Sequence, residues 1–220
     1  MNKELEQAVL SSYRSLDDLK LCIGKIKNIN HKDNRGENAL STAVKKRLYN
    51  TVKFLASLPD INLEIKDRND TTPLNAAASF GDLEMIKILV NSGADINGTN
   101  YLGATVLMAC RASKECFIEV LNNQPDLHIK TLQHMTIYTY LYAEENYESL
   151  KEVVRASKDL EDIRKFEEQH QSIYNHFIEK DCLNKKFNEQ ALSLLSSVRN
   201  NFELNEKLQD KPVKTLKHKI

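Results

Sequence analysis

Apolar residues in this chain recur at helical spacing in short blocks, and the blocks come in pairs. Between Asp67 and Asn97, Leu74, Ala77 and Ala78 form one small apolar face. Leu83, Ile86, Leu89 and Val90 form a second, with Glu84, Lys87 and Asn91 on its outer side. Thr72-Pro73 marks the start of the first helix. Threonine can cap, and proline fits the first helical position because the N–H it lacks would be unpaired there. Phe80-Gly81-Asp82 breaks this helix, Gly93 ends the next, and Asp95-Ile96-Asn97 opens an extended turn. The predicted unit is turn, helix, tight loop, helix, turn. Two short helices cannot enclose a core, so the unit must stack on copies of itself.

The copies follow at a spacing of about 33 residues. Asp33-Asn34-Arg35-Gly36, Asp67-Arg68-Asn69-Asp70 and Asn100-Tyr101-Leu102-Gly103 are successive turns, followed in one phase by Leu40, Leu74 and Leu107. Asp60-Ile61-Asn62, Asp95-Ile96-Asn97 and Asp126-Leu127-His128 close the units. Asp70 and His134 stand where the turn glycine is expected; both residue types tolerate left-handed backbone better than most. The third unit is short by about one residue near Ser113 to Cys116. A fourth and weaker unit runs from Thr131 to about Ala156.

These turns, with Thr72-Pro73-Leu74-Asn75-Ala76-Ala77, Glu84 through Leu89 and Gly93-Ala94-Asp95-Ile96-Asn97, resemble the ankyrin-repeat family across residues 31–157. The resemblance implies an all-α solenoid of stacked helix-turn-helix units with short turn tips. Residues 1–30 are expected to be a degenerate N-terminal capping repeat, with Leu5, Ala8 and Val9 on a first helix and Leu16, Leu19, Cys22 and Ile23 on a second. Residues 31–157 hold four ankyrin-like repeats. After Ala156 the phase disappears. Stripes led by Leu160, Ile163 and Phe166, then by Phe187, Ala191 and Leu194, predict a C-terminal α-helical hairpin over 158–210. Residues 211–220, with Pro212 and four lysines, predict a flexible basic tail.

Composition narrows the chemistry. Lysine plus arginine and aspartate plus glutamate each number 31 of 220 residues. No global field therefore favours nucleic acid or an acidic membrane. No apolar run is long enough for a membrane span, and the N-terminus lacks an apolar secretory core. The four cysteines form no C-x-x-C and read as reduced, buried thiols. The glycines sit at repeat punctuation, so no phosphate-binding loop is present. His170, His176 and Cys182 could be written as a metal set, but a six-residue spacing puts the two histidines on different helix faces. No catalytic, cofactor or metal residue is expected.

Binding is better supported. In the ankyrin family the turn tips and the exposed side of the first helices form a concave face that holds partner proteins. The matching positions here include Arg35, Lys45, Lys46 and Arg68, which make one end basic. Phe80, Tyr101, Leu102 and Leu132, at the middle and far end, are apolar. Exposed apolar groups in a row suggest a partner surface. The alternative is that the chain's own C-terminal helices cover them. The expected function is non-catalytic protein–protein binding by a cytoplasmic monomer with no nucleic-acid or membrane partner. Two alternatives stand beside it. Asn, Lys and Ile are plentiful and Trp is absent, as in AT-rich genomes. Short ankyrin proteins of AT-rich intracellular bacteria look similar, which suggests a host-directed adaptor or effector secreted without a cleaved signal peptide. The third reading is an enzyme with an unrecognised site in residues 158–220.

Overall fold

The computed structural model describes residues 3–12, 15–144 and 146–156. The predicted hairpin over 158–210, the tail over 211–220 and the histidines and cysteine weighed as metal ligands lie outside the described residues. The chain divides into two compact units, Met1–Tyr140 and Leu141–Ile220. The described residues are helical, with no β-strand; one isolated antiparallel bridge joins Thr99 and Thr105.

The first unit is built from helix pairs. These are α1 (Lys3–Ser11) with α2 (Asp17–Ile23), α3 (Ala39–Lys45) with α4 (Tyr49–Ala56), and α5 (Pro73–Ser79) with α6 (Leu83–Asn91). The next pair is α7 (Val106–Ala109), prolonged by a 3-10 turn at Cys110–Ala112, with α8 (Lys114–Asn122). First helices stack on first helices, α1 on α3 on α5 on α7, and α4, α6 and α8 stack alongside. This is the predicted all-α solenoid. Helix α9 (Ile137–Ala143) crosses into the second unit, which continues with α10 (Tyr147–Ala156). Asn146 caps α10 by accepting the Ser149 N–H, and Leu150 and Val153 are buried.

Stacking changes the buried arcs from what one stripe predicts. In α6, Met85 and Ile88 are buried along with Ile86 and Leu89, whereas Leu83 and Val90, expected on the apolar face, are only half-buried. Every residue from Pro73 to Ala78 in α5 is buried, because α3, α6 and α7 all pack against it. An interior repeat has a neighbour on each side, so the sequence pattern shows only part of its core. In the N-terminal helix pair Leu5, Ala8, Val9 and Leu19 are buried, whereas Leu16, Cys22 and Ile23 are only half-buried, so Cys22 is not the buried thiol expected. Leu21, by contrast, is 65% exposed.

Helix starts follow local chemistry. Asn38, Thr72 and Thr105 each accept the backbone N–H three residues on, from Ser41 (2.8 Å), Asn75 (3.2 Å) and Met108 (3.3 Å). Such caps contribute about 1 kcal/mol each. Asp82 and Ser113 do the same for α6 and α8. The third repeat falls short by two residues, not by about one: its helix caps Thr105 and Ser113 stand eight positions apart, against ten for Thr72 and Asp82. Where the second repeat uses Phe80-Gly81-Asp82 between helices, Ser113 follows the 3-10 turn directly and caps α8 itself. The short repeat has dispensed with the left-handed glycine.

Candidate functional site

The turn tips share one construction. Asp33 Oδ1 accepts the N–H groups of Arg35 and Glu37, both at 2.8 Å. Asp67 Oδ1 accepts those of Asn69 (2.8 Å) and Thr71 (3.1 Å), and Asn100 Oδ1 those of Leu102 (2.9 Å) and Ala104 (3.1 Å). Thr131 fills the same role with its hydroxyl, accepting from Gln133 and Met135 at 3.2 Å. One short acceptor thus closes each tip, which is why Asp, Asn and Thr recur there. The fourth residue of each tip has positive φ: Gly36 77°, Asp70 51°, Gly103 74° and His134 59°. Asp70 and His134 therefore occupy the left-handed backbone expected of them.

Tips are also joined to one another. The Arg68 N–H donates to the Arg35 carbonyl (3.3 Å), Tyr101 to Asn69 (3.3 Å) and Leu132 to Leu102 (2.9 Å). These bonds set Tyr101, Leu102 and Leu132 on two adjoining tips, about 5 Å apart in backbone. All three side chains are exposed, by 57%, 38% and 69%. Phe80 is 46% exposed but lies elsewhere. It follows the C-terminal end of α5, and its carbonyl accepts from Arg47 of the preceding repeat (3.4 Å). Seven residues of α5 separate it from the tips, a rise of about 10 Å. Phe80 and Tyr101 thus stand at opposite ends of the first-helix layer, not side by side. The sequence signals agree with this separation, since Thr72-Pro73 starts α5 and Phe80-Gly81-Asp82 ends it.

The basic residues also differ from expectation. Lys45, expected on an open basic end, is only partly exposed. Its Nζ donates to Glu37 Oε1 (2.8 Å) and Asp67 Oδ2 (2.9 Å), spanning two repeats. Burial works against the Lys45 charge, but the two carboxylates outweigh it and raise the pKa. Burial likewise works to raise Asp67; the Lys45 ammonium and the Asn69 and Thr71 N–H groups together hold it below its ordinary value. Arg35 is exposed and shared among Asp33 (3.0 Å), Glu37 (3.6 Å) and Glu6 (3.6 Å). Its hydrogen bond to Asp33 raises its pKa. Arg47 is tied to Asp82 (3.5 Å). Lys46 and Arg68 are exposed, with no ion pair among the described residues. In the run Lys45-Lys46-Arg47, one cation without an ion pair among the described residues thus stands between two engaged ones. The partners of Lys45 lie eight and 22 positions from it, beyond the reach of any local sequence signal.

Asp67→Asn should isolate this cross-repeat pair, since Asn100 shows that an amide can close the same turn. At pH 7 the expected loss is about 1–2 kcal/mol, for removing one partner of a partly buried pair. Because the Asp67 pKa is lowered on folding, its contribution is present above the unfolded value near 4 and disappears as pH falls through the lower folded value. The raised Lys45 pKa sets the upper limit: that contribution is full below the unfolded value near 10.4 and lost as pH rises through the folded one. Urea melts of both proteins should differ most between about pH 5 and pH 10 and converge toward pH 2. A gap independent of pH would rule out the ion pair as its source.

Nothing among the described residues resembles a catalytic constellation. In that region no group of His, Cys, Asp and Glu could hold a metal, and no helix is long and apolar enough to cross a membrane. Cys110 and Cys116 are buried free thiols, and burial pushes the Cys110 pKa to about 12. Such a thiol stays protonated and inert at neutral pH.

Known proteins agree with this architecture. Residues 5–100 match the family described as ankyrin repeats, in three copies. The match begins at residue 5, so it takes in the unit expected to be a degenerate cap. A delta-latroinsectotoxin of Latrodectus tredecimguttatus is 33% identical over 101 residues, 44% of this chain and 8% of the toxin. A putative ankyrin repeat protein of Acanthamoeba polyphaga mimivirus is 33% identical over 125 residues, 54% of this chain and 16% of that protein. An ankyrin repeat and KH domain-containing protein of Drosophila melanogaster is 36% identical over 80 residues, 35% of this chain and 2% of that protein. The chain thus spans a small fraction of these relatives, and what it shares with them is the repeat. With stacked helix pairs, tips closed by Asp, Asn or Thr, and a family match over residues 5–100, this part of the chain is built of ankyrin repeats.

Proposed function

We propose that the chain is a non-catalytic module that binds a partner protein on the first-helix and turn-tip face. Ankyrin repeats generally serve protein–protein interaction, and that much holds for the class. The observation that carries the reading is the exposed apolar cluster of Tyr101, Leu102 and Leu132 on hydrogen-bonded neighbouring tips. Rigidly held aromatic and aliphatic side chains cost little entropy to bury, and interface energy concentrates in a few such anchors. Phe80 adds a second anchor at the other end of α5. Arg68 and Lys46 act on encounter rate, being unpaired and exposed. Arg35 and Lys45 contribute mainly by holding the repeats in register, since their charges are already engaged.

The test is a photo-crosslinking side chain placed at Leu102, with a control at Lys53 on the outer helix layer, used to capture the partner from the source cell. Tyr101→Ala with Leu132→Ala should then cost about 1–3 kcal/mol of partner affinity. The melting temperature should not change, because neither side chain is part of the core. Full binding by this double variant, or equal capture from Lys53, would refute the assignment of the surface.

A further inference from the structure

Three exposed side chains stand in one register along the row of first-helix ends away from the tips. Lys46 follows α3, Phe80 follows α5, and Arg111 lies in the 3-10 turn that prolongs α7. The elements carrying them pack in that order, α3 on α5 and α5 on the 3-10 turn. The row therefore reads cation, aromatic, cation.

Nearby acids do not neutralise it. Asp82 is buried, accepts from the Tyr49 hydroxyl (3.0 Å) and the Met85 N–H (3.1 Å), and pairs with Arg47. Glu84 pairs with Lys53 at 3.2 Å. Glu115 accepts from the Ser113 hydroxyl at 2.8 Å, and Lys114 lies beside it. Lys46 and Arg111 have no carboxylate partner among the described residues. They flank an aromatic ring that is half open to solvent.

From this we infer that the row binds an extended acidic peptide segment of the partner, with an apolar anchor against Phe80 and a carboxylate on each of Lys46 and Arg111. The inference rests on the protein-binding reading and narrows its chemistry. The spacing follows from geometry. Packed helices lie about 8–10 Å apart, and an extended chain advances about 3.3 Å per residue. One repeat therefore corresponds to about three peptide residues. The recognised segment carries Asp or Glu three positions before and three positions after a Leu, Met or Phe. Charge complementarity selects an acidic segment over a basic one, and the aromatic centre requires the apolar anchor.

A random twelve-residue peptide library displayed on phage, panned against the full chain at low salt, tests this. Selected peptides should carry the acid–apolar–acid spacing, and their affinity should fall several-fold between about 50 and 300 mM salt. Lys46→Glu with Arg111→Glu, which alters only exposed groups and should leave the melting temperature unchanged, should weaken a selected peptide at least tenfold. Panned against the same library, that variant should select Lys or Arg at the flanking positions. An acidic preference that survives the double reversal overturns the inference, as does selection of nothing above background. Peptides lacking the pattern but lost on Tyr101→Ala with Leu132→Ala would overturn it while leaving the protein-binding reading in place.

Discussion

Leu89→Ala should be among the most damaging single changes to this chain, at roughly 2–5 kcal/mol. Leu89 is fully buried on α6, which packs against α4, α5 and α8 at once. Truncation there removes apolar surface and leaves a cavity facing three elements. Short helices joined by tight turns have little freedom to collapse into such a space, so the cost should fall in the upper part of that range. The total stability of a domain is only about 5–15 kcal/mol. The loss should therefore lower the melting temperature by roughly 5–15 °C. In a stacked array it should also propagate, because each repeat draws stability from its neighbours' interfaces. Amide exchange should quicken in α4 and α8 as well as in α6. Leu21→Ala is the matched control: a leucine on a second helix, but 65% exposed. It should change stability by less than about 0.5 kcal/mol. Equal melting of Leu89→Ala and the parent would show that the assigned helical phase is wrong.

Much of this fold is legible in the sequence because repetition amplifies weak signals. A single Asp-x-x-Gly means little, but Asp33, Asp67 and Asn100 in one phase identify a turn acceptor from their spacing alone. The same periodicity holds information that residue chemistry hides. Arg47 (φ 56°) and Gln124 (φ 54°) occupy left-handed backbone at the positions of Gly81 and Gly93 in the second repeat. Neither side chain favours that conformation, so only alignment to the glycines could reveal them. The surface is harder to read. Exposure of Tyr101, Leu102 and Leu132 follows from their place on the tips. The engagement of Lys45 by Glu37 and Asp67 does not, because an ion pair across repeats depends on side-chain reach. The separation of Phe80 from the tips is legible, because Thr72-Pro73 and Phe80-Gly81-Asp82 bracket a helix whose rise sets the distance.

Gly103→Ala should be the second severe change, and it tests the tip architecture directly. Gly103 has φ of 74°, where an L side chain costs about 1–2 kcal/mol. A Cβ there would also lie 3.0 Å from the Thr131 Cα and 3.2 Å from the Leu132 nitrogen, both backbone atoms of the next tip. Backbone cannot swing aside as a lysine side chain can. Relief requires the two tips to part, which strains the 2.9 Å bond from the Leu132 N–H to the Leu102 carbonyl. Overpacking of this kind typically adds about 1–3 kcal/mol, so the total expected loss is roughly 2–5 kcal/mol. Asp70 provides the contrast within the same molecule. It holds φ of 51° at the equivalent place and already carries a side chain there. Asp70→Gly should therefore gain little from relieved strain, and the added freedom of the unfolded chain offsets that gain. Its net change should stay within about 0.5 kcal/mol. Urea melts of the two variants should differ by several-fold in effect although both alter the same turn position. The tip variant should also weaken partner binding, because Leu102 and Leu132 are held together by the bond it disturbs. If Gly103→Ala matched the parent in stability, the close approach of neighbouring tips would be refuted, and with it the rigid apolar cluster on which partner binding is proposed to rest.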